Sequence, residues 1–494
     1  FIHHGFQVIL LDGSTTGCYA ATPFVPFAIG HYDCCAGIMV TASHNPKADN
    51  GFKVYWGNGC QIVPPHDEGI SAAIVENLEP ATDYKYLAGD WTGAAEVASS
   101  ANKLKTGKET LDALVEAYMT AIKGLRCSDG SAEAVPATYT AMHGVGRPWV
   151  QRALETFGVP ADKVSIVEAQ AEPDPEFPTV AFPNPEEKGA LDLACAFATA
   201  RGSGLIVAND PDADRLAVAE WQEDAQKWHL FHGNEIGAIL GHWAIQRYLS
   251  QGGAAADAAV IASVVSSRML RAIAQKEGVQ YFDTLTGFKW IGNKAVDLAS
   301  AGTKVLFGYE EALGYAYGDV VFDKDGVSAA AVLLEMAAVL RSKHGRGLLQ
   351  QLNHLREQYG DFVSYNYYVL CHDSAVTDKL FHEMRTGGAG GKYKLSFAGI
   401  EVMSIKDVTM GYDSSVSDNV LDMPATPGSH MIMFEFANGV SFTLRTSGTE
   451  PKIKWYTEVA AKPGMPRDDA STELKGFVDA AIREMLQTEK YGLK

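Results

Sequence analysis

Ser43 and His44 place a hydroxyl nucleophile beside an imidazole, directly after the apolar run Ile38-Met39-Val40. Such a run is typical of a buried strand, and Pro46 keeps the residue before it out of helical geometry. Ser43 is therefore predicted on a loop at the carboxyl end of a strand. Ligands of open α/β sheets bind at that end. The serine could instead be a hydroxyl that satisfies the backbone of a turn, so the other motifs must decide.

Three carboxylates alternate along the segment Asn209-Asp210-Pro211-Asp212-Ala213-Asp214-Arg215. A loop can turn Asp210, Asp212 and Asp214 toward one point, and three oxygen ligands suit a hard cation such as Mg²⁺. A calcium loop is excluded because Arg215 stands at its glycine position and Trp221 at its terminal glutamate position. A solvated acidic turn is the alternative, but crowded carboxylates between apolar strands repel each other unless a cation lies among them. Arg215 could hold a phosphate beside that cation.

A second polar segment packs cations, hydroxyls and a glycine between two predicted strands: Arg445-Thr446-Ser447-Gly448-Thr449-Glu450-Pro451-Lys452. Its hydroxyls and the amides around Gly448 can surround an anion that Arg445 pairs with. The alternative is a hairpin turn whose hydroxyls serve solubility. Two further features stay ambiguous at this point. The Glu310-Glu311 pair could accept hydrogen bonds from sugar hydroxyls or be surface acids, and Lys289 could contact a phosphate or be a surface lysine.

Taken together, a serine nucleophile, a loop of three aspartates, an acidic pair and an anion seat predict a phosphoryl-transfer site for a phosphosugar. A phosphorylated substrate needs locally basic pockets here, because 60 acidic and 41 basic residues give the 494-residue chain a formal charge of −19. That charge argues against a general nucleic-acid surface. The seven cysteines contain no CxxC pair, so reduced thiols and a cytosolic setting are expected. No apolar run of about 18 residues is present, so we expect no membrane span.

The elements that position these motifs predict an α/β fold: three consecutive α/β mixed-sheet domains plus a C-terminal α+β domain, with the active site in the central cleft. We expect domain boundaries at residues 1–100, 101–217, 218–345 and 346–494. Strands are predicted over residues 6–11, 52–56, 61–63, 137–142, 204–208, 259–265, 304–307, 362–370, 431–436, 440–444 and 453–459. Helices are predicted over residues 67–78, 110–125, 149–157, 191–200, 235–249, 268–277, 327–341, 375–385 and 473–487. Because residues 6–11 already predict an interior strand, the first domain is expected to lack its amino-terminal part.

Six segments together resemble the α-D-phosphohexomutase superfamily, in order and at fitting intervals. They are TASHNPKADNGFKVYW, NDPDADRLAVAE, TLTGFKWIGN, GYEEALGY, DKDGVSAA and RTSGTEPKIKWY. They are more similar to the phosphopentomutase and phosphoglucomutase-2 branch than to the phosphoglucomutase-1 type. The resemblance covers essentially the whole chain.

This resemblance implies a mutase in which Ser43 carries a phosphoryl group, gives it to a sugar phosphate and forms a sugar bisphosphate, which also serves as activator. It implies that Mg²⁺ is held by Asp210, Asp212, Asp214 and the phosphoserine. It further implies that His44 and Lys53 assist proton transfer and that Arg215 steadies the phosphoserine. The remaining residues implied in substrate binding are Lys289, Glu310, Glu311, Arg445, Ser447, Gly448, Thr449 and Lys452. The expected partner is a small-molecule sugar phosphate, with monomer or dimer left undetermined.

Two departures from the family pattern bear on function. The glucose-specific branch has Glu-Glu-Ser-Phe-Gly in the sugar loop, whereas this chain has Ala312 in place of the serine. We therefore expect pentose phosphates to be preferred over hexose phosphates. The family's Gly-Thr-Ala/Ser-Gly-Leu-Arg loop precedes the serine and is not found in this sequence. A glucose 1,6-bisphosphate synthase, or a noncatalytic sugar-phosphate-binding paralogue, remains the alternative; retention of Ser43 and the three aspartates argues against the latter.

Overall fold

The computed structural model describes residues 1, 5–79, 104–127, 133–447 and 451–493. The chain divides into two compact units. One comprises Phe1–Ala262, Glu277–Phe282 and Gly287–Leu352, and the other comprises Ser263–Lys276, Asp283–Thr286 and Asn353–Lys494. Gly448 and Thr449 of the predicted anion seat lie outside the described residues. In the described ranges, no helix is both long enough and apolar enough to cross a membrane.

The serine motif lies on the loop that joins two antiparallel strands. The first elements are β1 (Val8–Ile9), α1 (Gly13–Thr16), α2 (Phe24–Tyr32), β2 (Ala36–Val40), β3 (Phe52–Trp56), α3 (His66–Glu76) and β4 (Leu104–Lys105). Strands β2 and β3 pair in register, with Val40 opposite Phe52. The strand predicted over residues 52–56 is confirmed, but its main partner is β2 and not residues 61–63, which were expected to complete its hairpin. This pairing brings Lys53, on β3, close to the loop that follows β2.

Three sequence predictions for this region are wrong. Ile38 and Val40 are not buried, because they lie on the face of β2 that stays exposed to solvent in the described part of the chain; they are 44% and 79% exposed. Residues 61–63 form no strand, since only Gln61 makes an isolated bridge, to Tyr55. Residues 6–11 contain only the two-residue β1, which pairs parallel with β4 and leaves Phe6 exposed.

The aspartate loop follows a central strand of a mixed five-stranded sheet. Its elements are α4 (Lys108–Lys123), β5 (Ala137–Thr140), α5 (Arg147–Thr156), β6 (Val164–Ile166), α6 (Asp192–Arg201), β7 (Leu205–Ala208), β8 (Ala217–Gln222) and β9 (Lys227–Leu230). The strand order is β6-β5-β7-β8-β9, parallel through β7 and antiparallel after it. Strands β5 and β7 are buried along their whole length, as expected for central strands covered on both faces.

A third sheet carries the acidic pair. Its elements are α7 (Gly233–Ser250), β10 (Ala258–Ser263), α8 (Met269–Glu277), β11 (Gln280–Thr284), α9 (Phe288–Ser300), β12 (Lys304–Glu310), β13 (Gly314–Tyr317), α10 (Gly326–His344) and α11 (Leu348–Tyr359). The strand order is β11-β10-β12-β13, and the turn from β12 into β13 contains Glu311. Helix α10 is buried from Gly326 to Leu340, which matches its nearly uninterrupted apolar sequence.

The second unit is built on an antiparallel sheet. Its elements are β14 (Phe362–Ser364), β15 (Tyr367–Leu370), α12 (Ser374–Thr386), β16 (Ser396–Phe397), β17 (Ile400–Asp407), β18 (Tyr412–Asp413), β19 (Met431–Phe436), β20 (Ser441–Thr446), β21 (Lys452–Ala460), α13 (Arg467–Leu486) and α14 (Thr488–Tyr491). Residues 362–370, predicted as one strand, form two, because residues 365 and 366 interrupt the pairing with β21. The predicted mixed-sheet class, and the α+β class of the C-terminal part, are confirmed.

Candidate active site

Ser43 occupies a left-handed backbone conformation, with a φ of 54°. This conformation costs a non-glycine residue roughly 1 to 3 kcal/mol and persists only where neighbouring contacts enforce it. One such contact is the Ser43 N–H, which donates to Thr41 Oγ1 at 2.8 Å. Another is the Thr41 N–H, which donates to the Gly51 carbonyl at 3.0 Å. A side chain at Gly51 would press on the Thr41 carbonyl, so the glycine permits this approach.

The aspartate loop is held in shape by Asn209, a fully buried residue at its start. Asn209 Nδ2 donates to the Arg215 carbonyl at 2.6 Å, and Tyr139 Oη donates to Asn209 Oδ1 at 2.9 Å. The two ends of the loop are thereby joined. Gly144 lies against the middle of the loop, where a Cβ would stand 2.3 Å from Pro211 Cα, so only glycine fits there.

The two loops meet at the serine hydroxyl. Ser43 Oγ lies 3.1 Å from Asp210 Oδ2 and 3.3 Å from Asp212 Oδ1. His44 Nδ1 lies 3.3 Å from Ser43 Oγ. Burial, followed by the positive charge of Arg215, lowers the pKa of His44 to about 4. The imidazole is therefore neutral near pH 7 and able to accept a proton at Nδ1. This is the arrangement that a nucleophilic or phosphoryl-carrying serine requires.

Lys53 lies between two of the aspartates. Its Nζ is 2.8 Å from Asp212 Oδ2 and 2.6 Å from Asp214 Oδ2. Burial opposes the charge of this lysine, but Asp212 and Asp214 outweigh it and raise the Lys53 pKa. Burial likewise opposes the charge of Asp212, yet the Lys53 ammonium prevails and lowers the pKa of that carboxyl. For Asp210, burial and the charges of its two neighbouring aspartates raise the pKa well above its usual range.

The aspartate cluster fits a divalent cation. Asp210, Asp212 and Asp214 are buried, and each offers a carboxylate oxygen within 4.8 Å of the others. Within the described part of the chain, Asp214 Oδ1 is buried and has no hydrogen-bond partner. Arg215 Nε lies 3.9 Å from this oxygen, beyond hydrogen-bond distance, so a cation in direct contact would compensate the buried carboxylate better. These observations are consistent with the metal-ligand set expected from the sequence.

Arg215 connects the aspartate loop to the acidic loop. Its Nη1 donates to the Ala312 carbonyl at 2.8 Å, and its Nε lies 3.8 Å from Asp210 and 3.9 Å from Asp214. Backbone pairing continues the connection, because Arg215 bridges Gly314 and the Leu216 N–H donates to the Leu313 carbonyl at 3.2 Å. Glu310 and Glu311, both half-buried, therefore lie on a loop fixed directly to the aspartate loop.

Lys289 stands apart from these contacts. Lys289 is the second residue of α9, and its Nζ lies 3.8 Å from Asp67 Oδ2. Both side chains are about one-third exposed. The structure thus gives this lysine an acidic partner on α3, and its expected phosphate contact stays a prediction.

The described part of the predicted anion seat belongs to the second unit. It lies where the chain passes from β20 to β21, and there the Ser447 N–H donates to the Lys452 carbonyl at 2.9 Å. Arg445 Nη1 donates to Thr286 Oγ1 at 2.5 Å, and Lys452 Nζ lies 4.3 Å from the centre of the Tyr368 ring. Arg445 and Ser447 therefore lie on one side of the connection between β20 and β21, and Lys452 lies on the other.

Several residues that sequence reasoning did not single out contribute to the site. Lys324 is buried and lies 3.4 Å from Asp214 Oδ2; burial opposes its charge, but Asp214 raises its pKa. Thr22 and Thr41 donate to Asp212 Oδ2 at 2.8 and 3.2 Å. Lys324 had a local signal, since it stands between two carboxylates just before an apolar helix. Thr22 had none, because its partner lies 190 residues away in the chain.

Comparison with known proteins shows which family the chain resembles. Models of the phosphoglucomutase/phosphomannomutase alpha/beta/alpha domains I, II and III match residues 1–81, 116–223 and 232–359. The chain is 43% identical to human phosphopentomutase, covering 100% of this chain and 79% of the relative. It is 40% identical to human glucose 1,6-bisphosphate synthase, over 96% of this chain and 75% of the relative. The phosphoribomutase of Saccharomyces cerevisiae is 39% identical, over 93% and 76%.

Solved structures agree on the fold. The open form of pp63/parafusin, a phosphoglucomutase from Paramecium, superposes with a TM-score of 0.67 at 19% identity, covering 98% of this chain and 84% of that chain. A phosphoglucomutase/phosphomannomutase family protein from Burkholderia thailandensis superposes with a TM-score of 0.60 at 17% identity, covering 94% and 82%. Given the domain matches and the full-length relatives, the chain belongs to the α-D-phosphohexomutase superfamily, in its phosphopentomutase and phosphoglucomutase-2 branch.

Proposed function

We propose that this chain is a phosphosugar mutase, an enzyme that moves a phosphoryl group between the 1-position and the 5- or 6-position of a pentose or hexose phosphate. The observation that carries the proposal is the position of Ser43 Oγ, within 3.1 to 3.3 Å of two buried aspartates and a neutral imidazole. Relatives named phosphopentomutase and phosphoribomutase support the reaction class.

In this proposal, Ser43 carries the phosphoryl group. A sugar hydroxyl oxygen attacks the phosphorus, the bond from phosphorus to Ser43 Oγ breaks, and a sugar bisphosphate forms. His44 Nδ1 accepts the proton of the sugar hydroxyl and returns it to Ser43 Oγ as that oxygen leaves, while Lys53 and Arg215 balance the charge of the transferring phosphoryl. After the bisphosphate turns over, Ser43 Oγ attacks the other phosphorus, which releases the isomerised monophosphate and regenerates the phosphoserine.

The cofactor in this proposal is Mg²⁺, held by Asp210, Asp212, Asp214 and the phosphoserine. When bound, it would neutralise the phosphoryl oxygens. The phosphate that does not react would bind Arg445, Ser447, Gly448, Thr449 and Lys452, and Lys289 would add a further contact. Glu310 and Glu311 would accept hydrogen bonds from the sugar hydroxyls. A sugar bisphosphate would serve as activator by phosphorylating Ser43.

The domain division and the cellular setting expected from the sequence also belong to this proposal. We propose the four-part division at residues 1–100, 101–217, 218–345 and 346–494. We also propose a cytosolic setting, which the seven unpaired cysteines support.

The test is direct observation of phosphoryl migration. Purified protein would be incubated with Mg²⁺, a trace of sugar bisphosphate and either ribose 1-phosphate, deoxyribose 1-phosphate or glucose 1-phosphate, and the phosphate position would be followed by phosphorus NMR. We expect conversion with the wild type and none with Ser43→Ala, together with a phosphate on the peptide containing Ser43. Phosphate on another residue of an active protein would refute the assignment of Ser43.

Glucose 1,6-bisphosphate synthase activity is the second candidate, favoured by the human relative of that name at 40% identity. In this proposal both activities would use the same site residues and would differ in the phosphoryl donor. A mutase needs bisphosphate only in trace amounts, whereas a synthase accumulates it when a phosphoryl donor is supplied. Quantifying bisphosphate in the same NMR spectra therefore separates the two activities.

A further inference from the structure

The two carboxylate oxygens of Asp212 have different surroundings. Oδ2 accepts hydrogen bonds from Thr22 Oγ1 at 2.8 Å, Thr41 Oγ1 at 3.2 Å and Lys53 Nζ at 2.8 Å. Oδ1 faces the hydroxyl of Ser43 at 3.3 Å. Because a carboxylate has about four lone-pair sites on its two oxygens, three donors saturate Oδ2. Oδ1 is the oxygen left to face the nucleophile and a cation.

Thr22 contacts Asp212 at two points. Its N–H donates to the Asp212 carbonyl at 3.0 Å, while its hydroxyl donates to Oδ2. The residue is fully buried and lies just before α2, where Phe24 packs edge-on against Tyr118 and Trp149 with ring centres 5.0 and 5.1 Å apart. The threonine is thus fixed to a packed aromatic cluster, and it fixes both the backbone and the side chain of Asp212.

Thr41 joins the same oxygen to the serine loop. Its hydroxyl donates to Asp212 Oδ2 and accepts the N–H of Ser43 at 2.8 Å. One side chain thereby couples the strained backbone of Ser43 to the orientation of Asp212. Rotation about the last torsion of an aspartate is otherwise loose, since that torsion has broad minima.

We propose that Thr22 and Thr41 are positioning residues, which hold the plane of the Asp212 carboxylate so that Oδ1 faces Ser43 and the Mg²⁺ of the proposed function. The inference rests on that function. Both threonines act through Asp212, and Thr41 also holds the backbone N–H of Ser43. Partners that orient a metal ligand in this way have a large effect, and their loss commonly weakens metal binding about 10- to 100-fold.

The first test compares three variants of buried threonines. Thr22→Val removes the hydroxyl and keeps the shape, and Thr22→Ser keeps the hydroxyl. Thr138→Val is the matched control, because Thr138 is equally buried and its hydroxyl makes no hydrogen bond in the structure as described. Mg²⁺ binding to dephosphorylated protein would be measured by titration calorimetry with MgCl₂ alone. We expect the dissociation constant to rise about tenfold or more in Thr22→Val and to stay within about twofold in the other two.

Wild-type affinity in Thr22→Val would overturn the inference, as would an equal loss in Thr22→Ser, which would mean that packing rather than the hydroxyl matters. If Thr22→Val does not fold, variants of the half-buried Thr41 decide instead. Thr41→Val should weaken Mg²⁺ binding, and Thr41→Ser should bind Mg²⁺ like the wild type. Equal Mg²⁺ affinities of Thr41→Val and Thr41→Ser would overturn the inference. Absence of Mg²⁺ binding by the wild type is a different result, since it refutes the metal of the proposed function.

Discussion

At the scale of single residues, the site is dominated by a balance of buried charges. Three aspartates face three cationic side chains: Lys53 and Lys324 contact Asp214, Lys53 also contacts Asp212, and Arg215 lies between Asp210 and Asp214. Removing one partner of a buried ion pair leaves the other charge uncompensated, which is more costly than losing the pair as a whole. The aspartate cluster should therefore be sensitive to any change in the number of cations around it.

Lys53→Met tests this balance. We expect the variant to lose about 3 to 5 kcal/mol of unfolding free energy in the presence of a chelator, because two buried carboxylates lose their nearest cation. Mg²⁺ should restore part of the loss, since a ligand that binds only the folded state stabilises it. The measurement is urea unfolding with EDTA and with MgCl₂.

Lys304→Met is the matched control for the Lys53 variant. Lys304 pairs with Asp319 at 2.5 Å, but both side chains are 49% exposed, so its loss should cost at most about 1 kcal/mol. It should also gain no extra stability from Mg²⁺ over the wild type. If the two variants respond alike, the aspartates do not depend on Lys53 for charge compensation.

The site residues that could be predicted are those with a local signature. Ser43 follows an apolar strand, and the three aspartates alternate within five positions, so residue type and spacing alone indicated their chemistry. Thr22 could not be found in this way, because its role depends on a contact between distant segments. The φ of 54° at Ser43 was equally inaccessible, since tertiary contacts rather than sequence preference impose it.

At the scale of elements, many helices and strands were predicted within a few residues, but the helices α2, α9 and α11 and the eight-residue strand β17 were not predicted. The strand Phe52–Trp56 was found because its apolar residues lie between two turn signals. Residues 61–63 also include apolar side chains, but the chain turns into α3 directly after them and they make only a single bridge. Composition determines whether a strand can form, and its neighbours determine whether it does.

Helix α7 positions the acidic loop, which gives a prediction at this scale. A Cβ on Gly233, the first residue of α7, would stand 1.8 Å from the carbonyl oxygen of Glu311. Gly233→Ala must therefore push the loop that carries Glu310 and Glu311. Because displacements of about 1 Å at a catalytic site can cost about a hundredfold, we expect kcat/KM for the sugar phosphate to fall to that extent.

Gly476→Ala provides the comparison for Gly233→Ala. Gly476 lies within α13, and a Cβ there would meet no atom within 4 Å. The substitution should leave kcat/KM unchanged and stabilise the protein by about 0.5 to 1 kcal/mol, because alanine loses less backbone entropy than glycine in a helix. Wild-type kcat/KM in Gly233→Ala would show that α7 does not set the position of the loop.

At the scale of the whole molecule, a formal charge of −19 has to be reconciled with an anionic substrate. Five of the described cations lie where the proposed function needs them. Lys53, Lys324 and Arg215 contact the aspartates. Arg445 and Lys452, in the second unit, lie on the two sides of the connection between β20 and β21. Local arrangement rather than net charge therefore governs which small anions can bind.

The preferred sugar is the last prediction, and it rests on the acidic loop. The main-chain carbonyl of Ala312 is already occupied by Arg215 at 2.8 Å, and its methyl group offers no hydrogen bond to a sugar hydroxyl. Glucose 1-phosphate brings at least one more hydroxyl than ribose 1-phosphate or deoxyribose 1-phosphate, and an unmatched buried polar group costs about 1 to 3 kcal/mol, or about fivefold to 150-fold in kcat/KM. We therefore expect higher kcat/KM for ribose 1-phosphate and deoxyribose 1-phosphate than for glucose 1-phosphate.

Ala312→Ser should move the ratio of these kcat/KM values toward glucose 1-phosphate, whereas Ala301→Ser, at an exposed helix end, should leave the ratio unchanged. A wild-type preference for glucose 1-phosphate would contradict the prediction, and an unchanged ratio in Ala312→Ser would place the selectivity in another residue.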